Sequence, residues 1–141
     1  MRTCVFFNLI FFMLLSAAFA QGFLSPDILK SWLDSGKPVI IVDIQSAEGY
    51  AENHLRGSIE TDAYPAETDG QMKRLGIVVP TIMLSQNDVV IVRPPAKAGR
   101  VAAIRVYKYL MSKGVSENRL SILDGGIDAW PYADMLEKGR Q

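Results

Sequence analysis

Two short runs of mostly β-branched residues place the strongest constraint on the fold of this chain. Residues 38–42 read PVIIV and residues 88–92 read DVVIV, and neither run alternates between polar and apolar side chains. A run of this kind is typical of a strand covered on both faces, as in a parallel sheet between layers of helices. Parallel strands require crossover connections, so helical segments are expected between them.

The segments around these two runs show helix and strand patterns in alternation. A helix is predicted over 24–36, with Ser25 as N-cap candidate and Pro26 at the first helical position. The other predicted elements are a short helix over 46–53, a strand over 57–60, a polar helix or ordered loop over 65–75, an amphipathic helix over 100–113, a strand over 120–123 and a short helix around Trp130. This alternation predicts an α/β domain with a parallel sheet.

The first twenty residues have the three-part layout of a secretory signal. Arg2 precedes an apolar run over 4–15, and the A-x-A site at Ala18 to Ala20 predicts cleavage after Ala20. The run is short for a membrane span, so an uncleaved anchor is the alternative interpretation. We therefore predict a signal peptide over 1–20, a single domain over 21–141, export to the periplasm or cell envelope, and no membrane attachment after cleavage.

Cleavage at that site would remove Cys4, the only cysteine in the chain. Residues 21–141 then carry fourteen basic and fifteen acidic side chains, a net charge of −1 with the single histidine neutral. Such a domain lacks the basic face that nucleic acid requires, so nucleic acid is excluded as a partner. With one histidine and no thiol, no metal or other cofactor is expected.

The loop after Val92 is the strongest local candidate for a binding site. Ligands of open α/β sheets bind beyond the carboxyl ends of the strands, and this loop leads from a buried strand into a helix. The helix start and its basic side chains are suited to an anion, and the candidate anion-binding residues are Arg93, Lys97, Gly99 and Arg100. Against this, Pro94 and Pro95 have no N–H to donate, and a merely solvated basic loop is the alternative.

Four segments, in order along the chain, resemble the pattern of the rhodanese-like domain family. They are Val42-Asp43, the H-x-x-G-S motif within 50–59, the strand over 88–92, and the G-G-x-x-x-W motif within 121–130. The resemblance covers residues 24–133 and implies a three-layer domain with a five-stranded, mostly parallel sheet and an active-site loop after the fourth strand. Its motif residues, which we interpret as structural, are Asp43, His54, Arg56, Gly57, Gly125, Gly126 and Trp130.

Active members of that family begin the loop with a cysteine that carries a persulfide. Here Arg93 stands where the cysteine is expected, and a guanidinium group cannot act as a nucleophile. The resemblance therefore implies a sulfurtransferase fold without its nucleophile, and favours a non-catalytic module for a small oxyanion or a protein partner. The alternative is a sulfurtransferase acting on thiosulfate or persulfide sulfur that is held on a partner's cysteine.

The residues around the expected pocket do not decide whether its charged side chains face a ligand. Arg93 either lines the pocket or closes it by pairing with Asp43 or Asp124. Gln45 stands where the family often has an arginine, and Tyr64-Pro65 is a candidate for a wall of the pocket.

Overall fold

A five-stranded parallel sheet forms the centre of the fold. The computed structural model describes residues 22–140, so the predicted signal peptide over 1–20 lies outside the described residues. The strand order is β1 (Phe23–Leu24), β6 (Leu120–Leu123), β5 (Asp88–Val92), β2 (Val39–Asp43) and β4 (Ile59–Glu60). All neighbouring strands in this sheet run parallel. The predicted α/β class and five-stranded sheet are confirmed.

The two β-branched runs form neighbouring central strands, β2 and β5, which pair along their whole length from Val39 with Asp88 to Asp43 with Val92. Their side chains alternate between two cores. Ile40 and Val42 pack into the core on one face, and Ile41 packs into the core on the other. Neither face of these two strands is exposed to solvent, and this explains why the runs show no alternation of polar and apolar residues.

Helices cover both faces of the sheet. They are α1 (Pro26–Asp34), α2 (Ala47–Glu52), α3 (Asp69–Lys73), α4 (Val79–Met83) and α5 (Lys97–Ser112). One core includes Leu75, Ile82 and the apolar side of α5, and the other includes Leu29 of α1 and Trp130. No helix within residues 22–140 is long and apolar enough to cross a membrane.

The predicted helix over 24–36 is too long at both ends. Phe23 and Leu24 form the edge strand β1, which pairs with β6, and the helix begins at Pro26 and ends at Asp34. Ser25 is the N-cap, as predicted, and its Oγ accepts a hydrogen bond from the amide of Ile28 at 3.3 Å. A strand of two residues has too little pattern of its own to separate it from the apolar stripe of the helix that follows.

Other helices also differ from the sequence prediction. Helix α5 begins at Lys97 rather than at residue 100, and the terminal helix around Trp130 is a 3₁₀ turn over Ile127–Ala129. Helix α4 was not predicted, because it has only five residues and its exposed Met83 next to exposed Leu84 obscures the amphipathic pattern. A separate antiparallel pair, β3 (His54–Leu55) with β7 (Leu136–Glu137), completes the fold.

Candidate functional site

A cleft of about 270 Å³ opens beyond the carboxyl ends of β2 and β5. It is formed by the segment after β2, the loop after β5 and the turn that follows β6. Its polar lining consists of Gln45, Ser46, Glu52, Asn53 and Asp128, and the remaining lining residues are Gly49, Tyr64, Pro94, Pro95 and Ile127. The lining therefore holds two carboxylates and no basic side chain.

The side chain of Gln45 is held in place at the base of this cleft. Its Nε2 donates to Asp43 Oδ2 and to the carbonyl oxygen of Asn53, both at 3.0 Å. Both partners are acceptors when Asp43 is ionised, so the amide nitrogen must face them and Oε1 must face away. Gln45 is 4% exposed, and its Oε1 accepts no hydrogen bond from any residue within 22–140.

Asp43 is fully buried at the end of β2. Burial raises its pKa to about 6, while the hydrogen bonds from the side chain and amide of Gln45 act in the opposite direction. Among the described residues it forms no ion pair with Arg56 or Arg93. Its side-chain contacts are local ones that position Gln45, and its structural role stays a prediction.

Arg93 turns back into its own loop. Its Nη1 donates to the carbonyl oxygens of Pro94 at 3.0 Å, Pro95 at 3.3 Å and Ala96 at 3.3 Å. The residue is 7% exposed, and Nε is buried without a hydrogen-bond partner. Within the described residues it pairs with neither Asp43 nor any other carboxylate. Burial, followed by the charge of Arg100, lowers the pKa of Arg93.

The orientation of these three carbonyl groups sets the chemistry of the loop. A sulfur anion requires N–H groups that point at it, whereas here carbonyl oxygens converge on a cation. Two of the three belong to Pro94 and Pro95, which have no N–H to turn toward an anion in any conformation. The loop interior is therefore built to hold a positive charge, and Arg93 supplies it.

Two glycines allow the loop to be packed tightly. A Cβ on Gly99 in the first turn of α5 would lie 2.3 Å from the carbonyl oxygen of Pro94. On the other side, a Cβ on Gly126 would lie 2.9 Å from the carbonyl oxygen of Arg93, which accepts a hydrogen bond from the Ile127 amide at 3.1 Å. The G-G turn that follows β6 thus packs against the backbone of this loop.

The structure does not bring the four predicted anion-binding residues together around the cleft. Arg93 lies inside the loop, Gly99 is buried under it, and Lys97 is exposed. The guanidinium group of Arg100 lies over the ring of Phe23, 4.6 Å from its centroid, toward the β1 edge of the sheet. Anion binding by this set stays a prediction.

The other motif residues lie in the elements that frame the cleft. His54 is 2% exposed, its Nδ1 lies 2.8 Å from the carbonyl oxygen of Tyr50, and the two rings stack with their centroids 3.8 Å apart. Arg56 pairs with Glu137 through Nε and Oε1 at 3.0 Å. This ion pair links the turn after β3 to β7.

Two further motif residues occupy a turn and a core. Gly57 has a φ of 81°, which suits glycine at the turn that follows β3. Trp130 is 5% exposed in the core beside α1, and its Nε1 donates to the carbonyl oxygen of Tyr132 at 3.0 Å.

Sequence reasoning missed several residues of the cleft. Ser46, Glu52, Asn53 and Asp128 line it but were not singled out. Glu52 is the last residue of α2, and Asp128 is the second residue after the G-G pair. Their positions next to strand ends were visible in the sequence, but exposed carboxylates of this kind occur throughout a domain surface. Of the candidate wall Tyr64-Pro65, only Tyr64 lines the cleft.

The family model described as the rhodanese-like domain matches residues 25–133. The chain therefore belongs to the rhodanese-like domain family. No curated protein sequence matches the chain significantly.

Solved structures share the fold at low sequence identity. A yeast protein tyrosine phosphatase of the rhodanese family is 16% identical with a TM-score of 0.61, over 84% of this chain and 92% of that one. The Alr3790 protein from Anabaena is 23% identical with a TM-score of 0.60, over 84% and 94%. Thiosulfate sulfurtransferase from Pseudomonas aeruginosa is 16% identical with a TM-score of 0.61, over 84% of this chain but 20% of that longer one.

Proposed function

We propose that this protein is a non-catalytic rhodanese-like domain that acts by binding a partner protein. The observation that carries the proposal is the position of Arg93. Its guanidinium group fills the loop in which catalytic members of the family hold a reactive cysteine, and three carbonyl oxygens bind it there. With the loop interior occupied, the open cleft beside it offers a surface for binding next to the family's usual site.

The chemistry of the chain supports the absence of turnover. Sulfur transfer needs a thiolate that accepts sulfur from thiosulfate, releases sulfite, and passes the sulfur to an acceptor. Residues 22–140 contain no cysteine, and Cys4 belongs to the predicted signal. Replacing Arg93 alone would not restore the site, because the carbonyl oxygens of 94–96 would then face a developing negative charge.

The direct test is release of thiocyanate from thiosulfate and cyanide. The purified chain and its Cys4→Ser variant are assayed beside an active thiosulfate sulfurtransferase, with and without a low-molecular-weight thiol. We expect both forms to match the protein-free rate. Turnover by the Cys4→Ser variant would overturn the proposal, and turnover only with added thiol would favour the alternative in which a partner supplies the cysteine.

A small oxyanion is a second candidate ligand, favoured by one observation. Arg93 Nε is buried without a hydrogen-bond partner, so an anion that entered the loop interior would meet an unused donor there. The measurement is the melting temperature against thiosulfate, sulfate and phosphate at constant ionic strength. Saturable stabilisation that both Arg93→Ala and Arg100→Ala abolish would establish an anion site, and a flat response in the wild type would remove this candidate.

We further propose that the protein is exported and that residues 1–20 are removed. The support is the sequence itself, with its apolar run and A-x-A site before Gln21. Expression of the whole chain in a bacterium, followed by intact-mass measurement of the product in the periplasm, tests this. A product starting at Gln21 is expected. A full-length product in the cytoplasm or membrane fraction would contradict it.

A further inference from the structure

The cleft beside the Arg93 loop has a polar lining of carboxylate, amide and hydroxyl groups. Glu52 and Asp128 contribute exposed carboxylates, and the lining includes no Lys, Arg or His. The most informative residue is Gln45, which is 4% exposed and whose Oε1 accepts nothing from residues 22–140. Since its Nε2 is held between two acceptors, Oε1 faces Gly49 and the cleft. This amide oxygen is therefore left to accept a hydrogen bond from a donor that enters the cleft.

Part of the cleft wall is apolar or aromatic. Tyr64 is half-buried on the lining, and Pro94 and Pro95 also line the cleft. The volume of about 270 Å³ is below the range of roughly 300–1,000 Å³ that is typical of sites for whole small-molecule ligands. The cleft therefore matches one long side chain better than a cofactor or nucleotide.

Resting on the proposed function, we propose that this cleft binds the guanidinium group of an arginine side chain presented by a partner protein. A guanidinium is planar, stacks on aromatic rings, and carries five N–H donors and no acceptor. Its donors match Gln45 Oε1 and the carboxylates of Glu52 and Asp128. Its face matches the ring of Tyr64.

Arg93 does not compete for this position. It is not part of the lining, and its Nη1 donates to carbonyl oxygens inside its own loop. The loop and the cleft thus share one polarity, in which acceptors of the protein surround a cation. In the loop the cation is internal, and in the cleft it comes from the partner.

The test uses three blocked pentapeptides, Gly-Gly-X-Gly-Gly, in which X is arginine, lysine or the neutral isostere citrulline. Each is titrated into the ¹⁵N-labelled chain to about 10 mM, which is tenfold above a millimolar dissociation constant. The readouts are the side-chain NH₂ signals of Gln45 and the backbone amides of 45–53 and 127–128. We expect saturable shifts with arginine, weaker ones with lysine and none with citrulline.

Two double variants separate the cleft from overall charge. Glu52→Gln with Asp128→Asn removes the lining carboxylates and is expected to weaken arginine binding about fivefold or more. Glu48→Gln with Asp124→Asn makes the same charge change on exposed residues of α2 and the same turn, outside the lining, and is expected to bind as the wild type.

Several results would overturn this inference. These are equal shifts with citrulline, equal losses in both double variants, or no shift at Gln45 over the whole titration. None of them bears on the thiocyanate assay, so the non-catalytic assignment stands or fails separately. Free arginine amide, added as a competitor, shows whether a small amine suffices; binding of the free amine with no gain from the peptide would also contradict a protein partner.

Discussion

Gly99 of α5 lies directly against the carbonyl group of Pro94. A Cβ at residue 99 would be 2.3 Å from that oxygen, a separation at which one of the two backbones must move. The first turn of the helix and the loop that precedes it are therefore in backbone contact. The position of the Pro94 carbonyl, which also accepts from Arg93, depends on the absence of a side chain at this point.

Gly99→Ala is expected to destabilise the protein by about 1–3 kcal/mol, because overpacking forces the loop away from α5. Gly70→Ala is the matched control, since a Cβ there meets nothing closer than 3.9 Å and alanine favours the helix by up to about 1 kcal/mol. Urea unfolding of both variants measures the difference. A Gly99→Ala variant as stable as the wild type would show that the loop has room to relax.

Arg93→Ala is expected to lower the free energy of unfolding by about 1–3 kcal/mol, because three loop carbonyl groups lose a charged donor. Arg93→Lys keeps a cation and should lose less. Arg100→Ala serves as the control, since that side chain is exposed and contacts the ring of Phe23. A loss at Arg100 as large as that at Arg93 would argue against the special role of the loop carbonyls.

Arg93→Cys, made together with Cys4→Ser, reports the polarity of the loop directly. Carbonyl oxygens disfavour a thiolate, so we expect a thiol pKa at or above the ordinary value of about 8.5 and no thiocyanate release. The pH dependence of alkylation by iodoacetamide gives that pKa. A value below about 7, toward the range of activated thiols, or sulfur transfer by this variant, would mean that the loop turns its amides inward once the arginine is gone.

As the pH rises from about 4 to about 6, ionisation of Asp43 should lower the free energy of unfolding. Burial raises its pKa from 3.8 to about 6, so the native state keeps a proton that the unfolded chain has released in this window. The stabilising contribution is fully present below pH 3.8 and is lost as pH rises to about 6. A difference of about two pKa units corresponds to roughly 3 kcal/mol.

Asp43→Asn removes this titration and isolates its effect. Urea unfolding of wild type and variant from about pH 4 to about pH 7 should give curves whose separation changes by roughly 3 kcal/mol across the window. Because asparagine cannot ionise, titrations elsewhere in the chain affect both curves alike. Two parallel curves would show that Asp43 is solvated well enough to keep its ordinary pKa.

The sheet was predictable from the sequence because its central strands are buried on both faces. Residues 39–43 and 88–92 are apolar except for one aspartate at an end of each strand. Their β-branched residues favour strands over helices. The edge strand Phe23–Leu24 was not predictable in the same way. It has two residues, and its existence depends on pairing with β6, which lies about a hundred residues further along the chain.

The candidate site was only partly predictable. The sequence located the loop and the arginine at its start, because both follow from the strand that precedes them. It did not reveal that Arg93 turns inward, since that depends on where the carbonyl groups of 94–96 point. The lining residues Glu52 and Asp128 come from different connections, and only the packed sheet brings them to one cleft.

The pairing of β1 with β6 has a consequence for the order in which the domain acquires its structure. The first strand of the sheet can be added only when residues 120–123 are available, and Arg56 can meet Glu137 only when β7 is available as well. Contacts of such long sequence separation slow folding. The sheet therefore stays incomplete until nearly all of residues 22–140 can fold together.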